Sequence, residues 1–213
     1  MYKRQIYARA LNELVSLGDL DPIAILTRAS AEMSVGELRQ LGTTDHLRFD
    51  EDDYTRLIGA KTASLMAAAC EVGAVAGARR HREALRDFGF SLGMAFQIID
   101  DVIDYTEDAS TAGKPTGLDL REHKVTLPLI AALQRMPKTG RKEVDALFES
   151  ECPTDEQIAR VTAIVHQLGG IEYARERAGS YAERAEDSLD RLPRSSATAA
   201  LARLVGYVME RHA

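Results

Sequence analysis

The amino-acid sequence predicts an all-α fold, and three observations support that class. Apolar residues recur at every third or fourth position in several segments, which is the spacing of one face of a helix. No segment shows the sustained alternation of apolar and polar residues that marks a half-buried strand. The chain has 213 residues, 45% of them hydrophobic, which suffices for one sizeable core. We therefore predict a single helical domain over residues 1–213.

Nine helices are predicted, at residues 5–17, 21–41, 52–77, 80–107, 126–136, 140–150, 154–168, 171–191 and 195–211. Gly18 and Pro22 separate the first two, because both residues favour turns over helix interiors. The third contains the most apolar stretch of the chain, and the fourth is apolar on most of its circumference. The loop that follows, residues 108–123, is the longest irregular stretch, and loops of that length in compact domains are often functional.

Local signals also mark the later helices. Thr154 and Gln157 form a capping box, in which each side chain accepts a hydrogen bond from the other residue's backbone, and apolar residues follow at helical spacing. Gly169 and Gly170 end this helix. Pro193 breaks the chain before the last helix, whose leucines and valines form one stripe.

Composition excludes several classes of protein. A net charge of −6 disfavours nonspecific binding to nucleic acid. Cys70 and Cys152 have no partners at metal-ligand spacing, so a reduced, cytoplasmic setting is predicted. The most apolar stretch, residues 64–78, is interrupted by Glu71 and is too short to cross a membrane. We expect a cytoplasmic protein without a transmembrane segment.

The segment FQIIDDVIDY places Asp100, Asp101 and Asp104 among residues that are otherwise largely apolar. At about 100° per residue, these acids and Gln97 fall in one strip between two apolar sectors of the helix. An isolated acidic pair would suggest a solvated face, but these flanks suit the wall of a polar cavity better. Close carboxylates raise one another's pKa unless a cation holds them. An all-oxygen set without His or Cys predicts Mg²⁺, which prefers to share phosphate oxygens.

Three lysines stand out by their context. Lys61 precedes a largely apolar run, which turns its head group inward, and Lys114 and Lys124 bracket the loop that leaves the acidic helix. Most other lysines are expected to be ordinary surface residues. Acids, Mg²⁺ and convergent lysines together predict a site for a diphosphate group.

The motifs FQIIDDVIDY, GKPTGLDL, KVTLP, GELRQ and KTASL resemble those of the trans-prenyltransferases, the polyprenyl diphosphate synthase family, in order and in spacing. The resemblance runs from about residue 6 to the C-terminus. It implies an isoprenoid synthase helical bundle, usually homodimeric, in which two aspartate-rich motifs hold Mg²⁺ across a cavity. The implied reaction is the head-to-tail (1'-4) condensation of isopentenyl diphosphate with an allylic prenyl diphosphate.

The resemblance implies a role for each acid of the DDxxD motif. Asp100 would bind Mg²⁺ directly, whereas Asp101 and Asp104 would act mainly through metal-bound water. Other helical metal proteins fit less well, because the chain has no Glu-x-x-His pair of the kind that binds two irons in a helical bundle.

The resemblance also implies residues that bind the substrate. Lys61, Lys114 and Lys124 would neutralise the leaving diphosphate. Gln97 and Thr62 would hold the reacting allylic end in place. All five therefore belong to the predicted catalytic or diphosphate-binding set.

The chain departs from the family pattern in one large respect. It contains one DDxxD motif where the family has two, and the basic segment that binds isopentenyl diphosphate is missing. The acidic stretch FDEDDYTRL, at 49–57, lacks the DDxxD spacing and is interpreted as a loop and a helix start. The opening MYKRQ resembles translated adapter sequence, so residues 1–5 are interpreted as non-native. We expect an N-terminally truncated fragment that is inactive by itself.

An alternative from another functional class stays open. A naturally short homologue could be a non-catalytic regulatory subunit that binds a full-length prenyl synthase and tunes its product. The intact DDxxD motif, the lysines and Gln97 favour the enzyme, because a regulatory subunit would be free to lose them.

Overall fold

The structure is a computed structural model that describes residues 2–41, 48–106, 117–137 and 140–211. We number its α-helices in chain order, as follows: α1 (Tyr2–Ser16), α2 (Leu20–Leu41), α3 (Glu51–Ile58), α4 (Ser64–Gly77), α5 (Arg82–Thr106), α6 (Leu118–Arg121), α7 (Leu127–Arg135), α8 (Lys142–Glu149), α9 (Asp155–Gln167), α10 (Gly170–Asp190) and α11 (Ser196–Met209). These ranges contain no strand, which confirms the all-α prediction.

The predicted helices are found to within a few residues, with two refinements. The third predicted helix is continuous over α3 and α4, but a π-helical turn, Gly59–Ala63, joins the two parts. The predicted loop at 108–123 contains the short helix α6, which the sequence did not reveal. The predicted capping box is present, because Thr154 accepts from the Gln157 backbone and Gln157 accepts in return.

Helix α5 is the centre of the molecule. It packs against α4, α10 and α11, and its apolar side chains contribute to two buried clusters. Phe88 and Leu92 lie in the cluster shared with α10 and α11, whereas Met94, Ile98 and Val102 lie in the cluster that reaches α7 and α10. The prediction that this helix is apolar on most sides is therefore confirmed.

Two glycines allow α5 to approach the helical run on its other side very closely. A Cβ atom on Gly89 would lie 2.6 Å from the carbonyl oxygen of Met66, and one on Gly93 would lie 2.6 Å from the Cα atom of Ala63. Both contacts are with backbone, which cannot move aside as a flexible side chain can. The two helices can therefore take these positions only because glycine has no side chain.

The helical run Glu51–Gly77 is longer than the apolar stretch considered in the sequence. Its 27 residues and a mean hydropathy of 1.2 make it long and apolar enough to cross a membrane by those two criteria. Half of the apolar window is buried inside the protein, where it packs on α2 and α5. A buried core helix of a globular protein meets the same criteria, so length and composition alone are weak support for a membrane span.

Candidate functional site

One cavity brings together most of the predicted site residues. It has a volume of about 140 Å³ and lies between α3, the π-helical turn, α5 and the segment that includes α6. Of the eight predicted site residues, five line it: Lys61, Thr62, Gln97, Asp101 and Lys124. Phe49, Leu57, Ile58 and Val125 supply an apolar part of the wall.

The π-helical turn carries two of these residues. Lys61 is exposed and Thr62 is half-buried, while Gly59 and Ala63 on either side of them are buried. A π turn inserts extra backbone into a helix and re-aims the side chains near it, and such turns occur frequently at functional sites. The turn therefore directs Lys61 and Thr62 to the cavity, whereas the residues around them remain in the core.

A chain of hydrogen bonds crosses the floor of the cavity. The Thr62 hydroxyl donates to Gln97 Oε1 at 2.7 Å, and Gln97 Nε2 donates to Asp101 Oδ1 at 2.8 Å. The Tyr54 hydroxyl donates to the other carboxylate oxygen, Asp101 Oδ2, at 2.6 Å. Donors and acceptors therefore alternate without a gap from α3 through α5 to the π turn.

Asp101 is the buried acid of the DDxxD motif, and only 6% of the residue is exposed to solvent. Burial raises its pKa from 3.8 to about 7, although the hydrogen bonds from Tyr54 and Gln97 act in the opposite direction. The neighbouring acids add smaller increases, with Asp119 contributing more than Asp100. The sequence suggested that repulsion between close acids would raise the pKa, but desolvation is the larger cause here.

The other two acids of the motif have different surroundings. Asp100 is half exposed, and its Oδ1 lies 3.7 Å from the guanidinium of Arg211. Asp104 accepts hydrogen bonds from the backbone N–H groups of Leu118 and Asp119, at 3.0 and 2.9 Å, at the start of α6. The motif thus presents one exposed, one buried and one helix-capping carboxylate.

The described residues contain no group of three or more Asp, Glu, His or Cys side chains placed to hold a metal ion together. Both oxygens of Asp101 and both oxygens of Asp104 already accept hydrogen bonds, while Asp100 forms a long ion pair with Arg211. This donor set fits a Mg²⁺ ion held by one or two carboxylates and completed by water and phosphate oxygens, and not a closed protein cage. The assignment of metal to Asp100, Asp101 and Asp104 stays a prediction.

Asp119 and Tyr54 are two polar residues of this cavity to which sequence reasoning gave no role. Asp119, in the quoted motif GKPTGLDL, lines the cavity, and Lys124 Nζ lies 3.2 Å from its carboxylate and 2.5 Å from that of Glu122. Burial, followed by the charge of Asp104, raises the pKa of Asp119. Tyr54 belongs to the acidic stretch that was interpreted only as a helix start, and no local pattern separates it from an ordinary core tyrosine.

Lys114 lies outside the described residues, so the structure does not place it. Lys124 does reach the cavity, where its cation is held between two carboxylates. Lys61, on the π turn, lines the same cavity. Two of the three predicted lysines therefore flank the same space.

A sequence model of the polyprenyl synthetase family matches residues 4–165. The chain belongs to this family. The resemblance stated from the motifs is thereby confirmed, because the matched range includes every motif on which it rested. The helical bundle is likewise that of polyprenyl synthetases of known structure.

Three polyprenyl synthetases illustrate the similarity. The all-trans-nonaprenyl-diphosphate synthase (geranyl-diphosphate specific) of Rhodobacter capsulatus is 38% identical over 208 residues, 97% of this chain and 63% of that protein. A polyprenyl synthase from Caulobacter crescentus CB15, crystallised with calcium and isoprenyl diphosphate, has a TM-score of 0.86 at 35% identity, over 97% of this chain and 64% of that one. A decaprenyl diphosphate synthase from Rhodobacter capsulatus has a TM-score of 0.88 at 34% identity, over 97% of this chain and 64% of that one.

The present chain thus spans less than two thirds of the length of these polyprenyl synthetases. Within that span the similarity covers nearly all of its helices. The isoprenoid synthase bundle predicted from the motifs is confirmed for this part of the fold.

Proposed function

We propose that this chain provides the second aspartate-rich half of a polyprenyl diphosphate synthase and binds the diphosphate group of an allylic substrate. The observation that carries the proposal is the cavity in which Lys61 and Lys124 flank the hydrogen-bonded residues Thr62, Gln97 and Asp101. Two cationic side chains in one cavity suit an anionic group, and the apolar part of the wall suits the hydrocarbon attached to it.

Each residue of the cavity has a part in the proposed condensation of isopentenyl diphosphate with the allylic diphosphate. The ammonium groups of Lys61 and Lys124, with Lys114, neutralise charge that grows on the diphosphate as its bond to carbon breaks. Thr62 and Gln97 hold the reacting end in one orientation, which lowers the entropy that must be lost at the transition state. Bound Mg²⁺ would supply further charge stabilisation to the leaving diphosphate, with Asp100 as its direct protein ligand.

The relatives support the substrate class and the need for a divalent cation. The Rhodobacter capsulatus synthase is described as geranyl-diphosphate specific, and the Caulobacter crescentus structure contains calcium together with isoprenyl diphosphate. Calcium and Mg²⁺ both prefer oxygen ligands, and Mg²⁺ binds more readily through one or two carboxylates and substrate phosphates. A homodimer in the cytoplasm belongs to the same proposal.

Isothermal titration of the purified chain with geranyl diphosphate tests this function directly. We expect saturable binding that strengthens when Mg²⁺ is added and weakens about 10–100-fold in the Lys61→Ala and Lys124→Ala variants, because each loses a charge-assisted contact. Lys142→Ala is the matched control, since Lys142 is exposed at the start of α8 and does not line the cavity. Absence of binding with Mg²⁺, or an equal loss in the control, would rule the proposal out.

A regulatory subunit remains the second candidate, because the chain carries one DDxxD motif. Such a subunit would alter the product length of a full-length synthase when the two are mixed. Binding of geranyl diphosphate that depends on Lys61 and Lys124 would favour the enzyme instead.

A further inference from the structure

Tyr54 is a buried polar residue at the edge of the proposed site, and no step described above depends on it. The residue is 2% exposed and lines the cavity from α3. Tyr54 belongs to a cluster of buried, mostly apolar residues. Its hydroxyl lies 2.6 Å from Oδ2 of Asp101, the buried acid of the DDxxD motif.

The acidic stretch before Tyr54 holds α3 in position. Asp50 and Asp53 form a capping box at the helix N-terminus. The next residue after the cap, Glu51, accepts a hydrogen bond at 2.6 Å from the hydroxyl of Tyr173 on α10. The stretch FDEDDY therefore caps α3 and links its start to a core helix.

The direction of these hydrogen bonds determines which end of the Gln97 side-chain amide faces Asp101. An ionised carboxylate only accepts hydrogen bonds, so Asp101 requires the NH₂ end of the Gln97 side chain to face it. The oxygen end then faces the Thr62 hydroxyl, which donates to it. If Tyr54 lost its hydroxyl, Asp101 Oδ2 would lack its donor in a buried setting, and the carboxylate would turn to find another.

We propose that Tyr54 is a positioning residue: its hydroxyl holds the Asp101 carboxylate, and through it fixes the side-chain amide of Gln97 toward the bound diphosphate. This inference rests on the proposed function for the identity of the ligand. The geometry on which it stands is present in the protein before any ligand binds. Residues that orient a ligand-binding group commonly change affinity or activity by about 10–100-fold when they are removed.

The chain offers a matched control. Tyr173 also donates its hydroxyl to a carboxylate at 2.6 Å, but the acceptor is Glu51, which does not line the cavity. Arg177 lies 2.8 Å from the same carboxylate and would still hold it in a Tyr173→Phe variant. Both variants, Tyr54→Phe and Tyr173→Phe, thus remove one hydroxyl from one tyrosine–carboxylate pair.

The first measurement is the side-chain amide spectrum of the ¹⁵N-labelled chain at pH 8, without ligand. The sequence has six glutamines and one asparagine, so Gln97→Glu identifies the Gln97 signals by their loss. We expect Tyr54→Phe to shift them toward the values of a free side chain and to speed their hydrogen exchange. Tyr173→Phe should leave them unchanged. The second measurement is titration with geranyl diphosphate and Mg²⁺, in which Tyr54→Phe should bind about tenfold more weakly.

Unchanged Gln97 signals in Tyr54→Phe would overturn the inference, and so would equal effects of the two variants, which would indicate general loosening. A double variant, Tyr54→Phe with Asp101→Asn, keeps the test decisive if the single change unfolds the chain, because it leaves no charge buried without a donor. It is compared with Asp101→Asn alone, and the further loss of the Tyr54 hydroxyl should release Gln97 more than that single change does. If the parental chain bound no geranyl diphosphate, the proposed function would fail, while the amide signals would still decide the role of Tyr54.

Discussion

Raising the pH from 5 to 8 should destabilise the folded chain through the carboxylate of Asp101. Burial raises its pKa from 3.8 to about 7 in the folded protein. Below pH 4 both folded and unfolded chains hold this proton. Between pH 4 and 7 the unfolded chain has released it while the folded chain retains it, so the free energy of unfolding falls as pH rises and levels off above 7.

The size of the effect follows from the two pKa values. They differ by about 3, and each pH unit corresponds to about 1.4 kcal/mol, so the total is about 4 kcal/mol. About 2 kcal/mol of it falls between pH 5 and 7. In a protein of this length, that loss corresponds to a decrease in Tm of roughly 4–8 °C.

Thermal melts at half-unit steps of pH, in buffer that contains a chelator, provide the assay. The quantity compared is the pH dependence of Tm in the parental chain and in Asp101→Asn, which cannot ionise. We expect the parental Tm to fall between pH 5 and 7 relative to the variant. Asp187→Asn, at an exposed position on α10, should follow the parental curve. Parallel curves for the parental chain and Asp101→Asn would refute the reasoning from burial.

Three further outcomes are expected. In titrations with geranyl diphosphate, Asp100→Ala should abolish the effect of Mg²⁺ on affinity, whereas Asp101→Ala should weaken binding about 10–100-fold. If Asp101→Ala abolished the Mg²⁺ effect and Asp100→Ala did not, Asp101 would be the direct metal ligand. Gly89→Ala should lower the free energy of unfolding by roughly 1–3 kcal/mol, as measured by urea denaturation, because its Cβ would meet the Met66 carbonyl. Gly73→Ala has open space around its Cβ and should raise that free energy by up to about 1 kcal/mol. The 213-residue chain should form no elongated product from isopentenyl and geranyl diphosphates with Mg²⁺, because it carries a single DDxxD motif; chromatographic detection of longer products would contradict this.

Most of the helices could be predicted because their signals are local. The capping box at Thr154 and the apolar residues behind it lie within one or two turns of each other, so no other part of the chain is needed to interpret them. The short helix α6 could not be predicted in this way. It has four residues, and its first backbone N–H groups are satisfied by Asp104, a residue of another helix.

The candidate site was likewise predicted only where its signals are local in sequence. Lys61, Thr62 and Gln97 were identified from motifs, and the structure brings all three to one cavity. The π turn that directs Lys61 and Thr62 there was not predicted, since a π turn and an α-helix share nearly the same sequence preferences. Tyr54 was missed because its importance depends on a contact with a residue 47 positions away.

The sequence by itself determined the family, the helical fold and the strip of acids on one helix, since helical periodicity places Asp100, Asp101 and Asp104 near one another whatever surrounds them. Only the tertiary structure decided what each acid does. Neighbouring helices cover Asp101, α6 begins at Asp104, and Asp100 is left half exposed. The physical reason is that the charge and reach of a carboxylate depend on its solvation and hydrogen-bond donors, and here those come from residues distant in sequence.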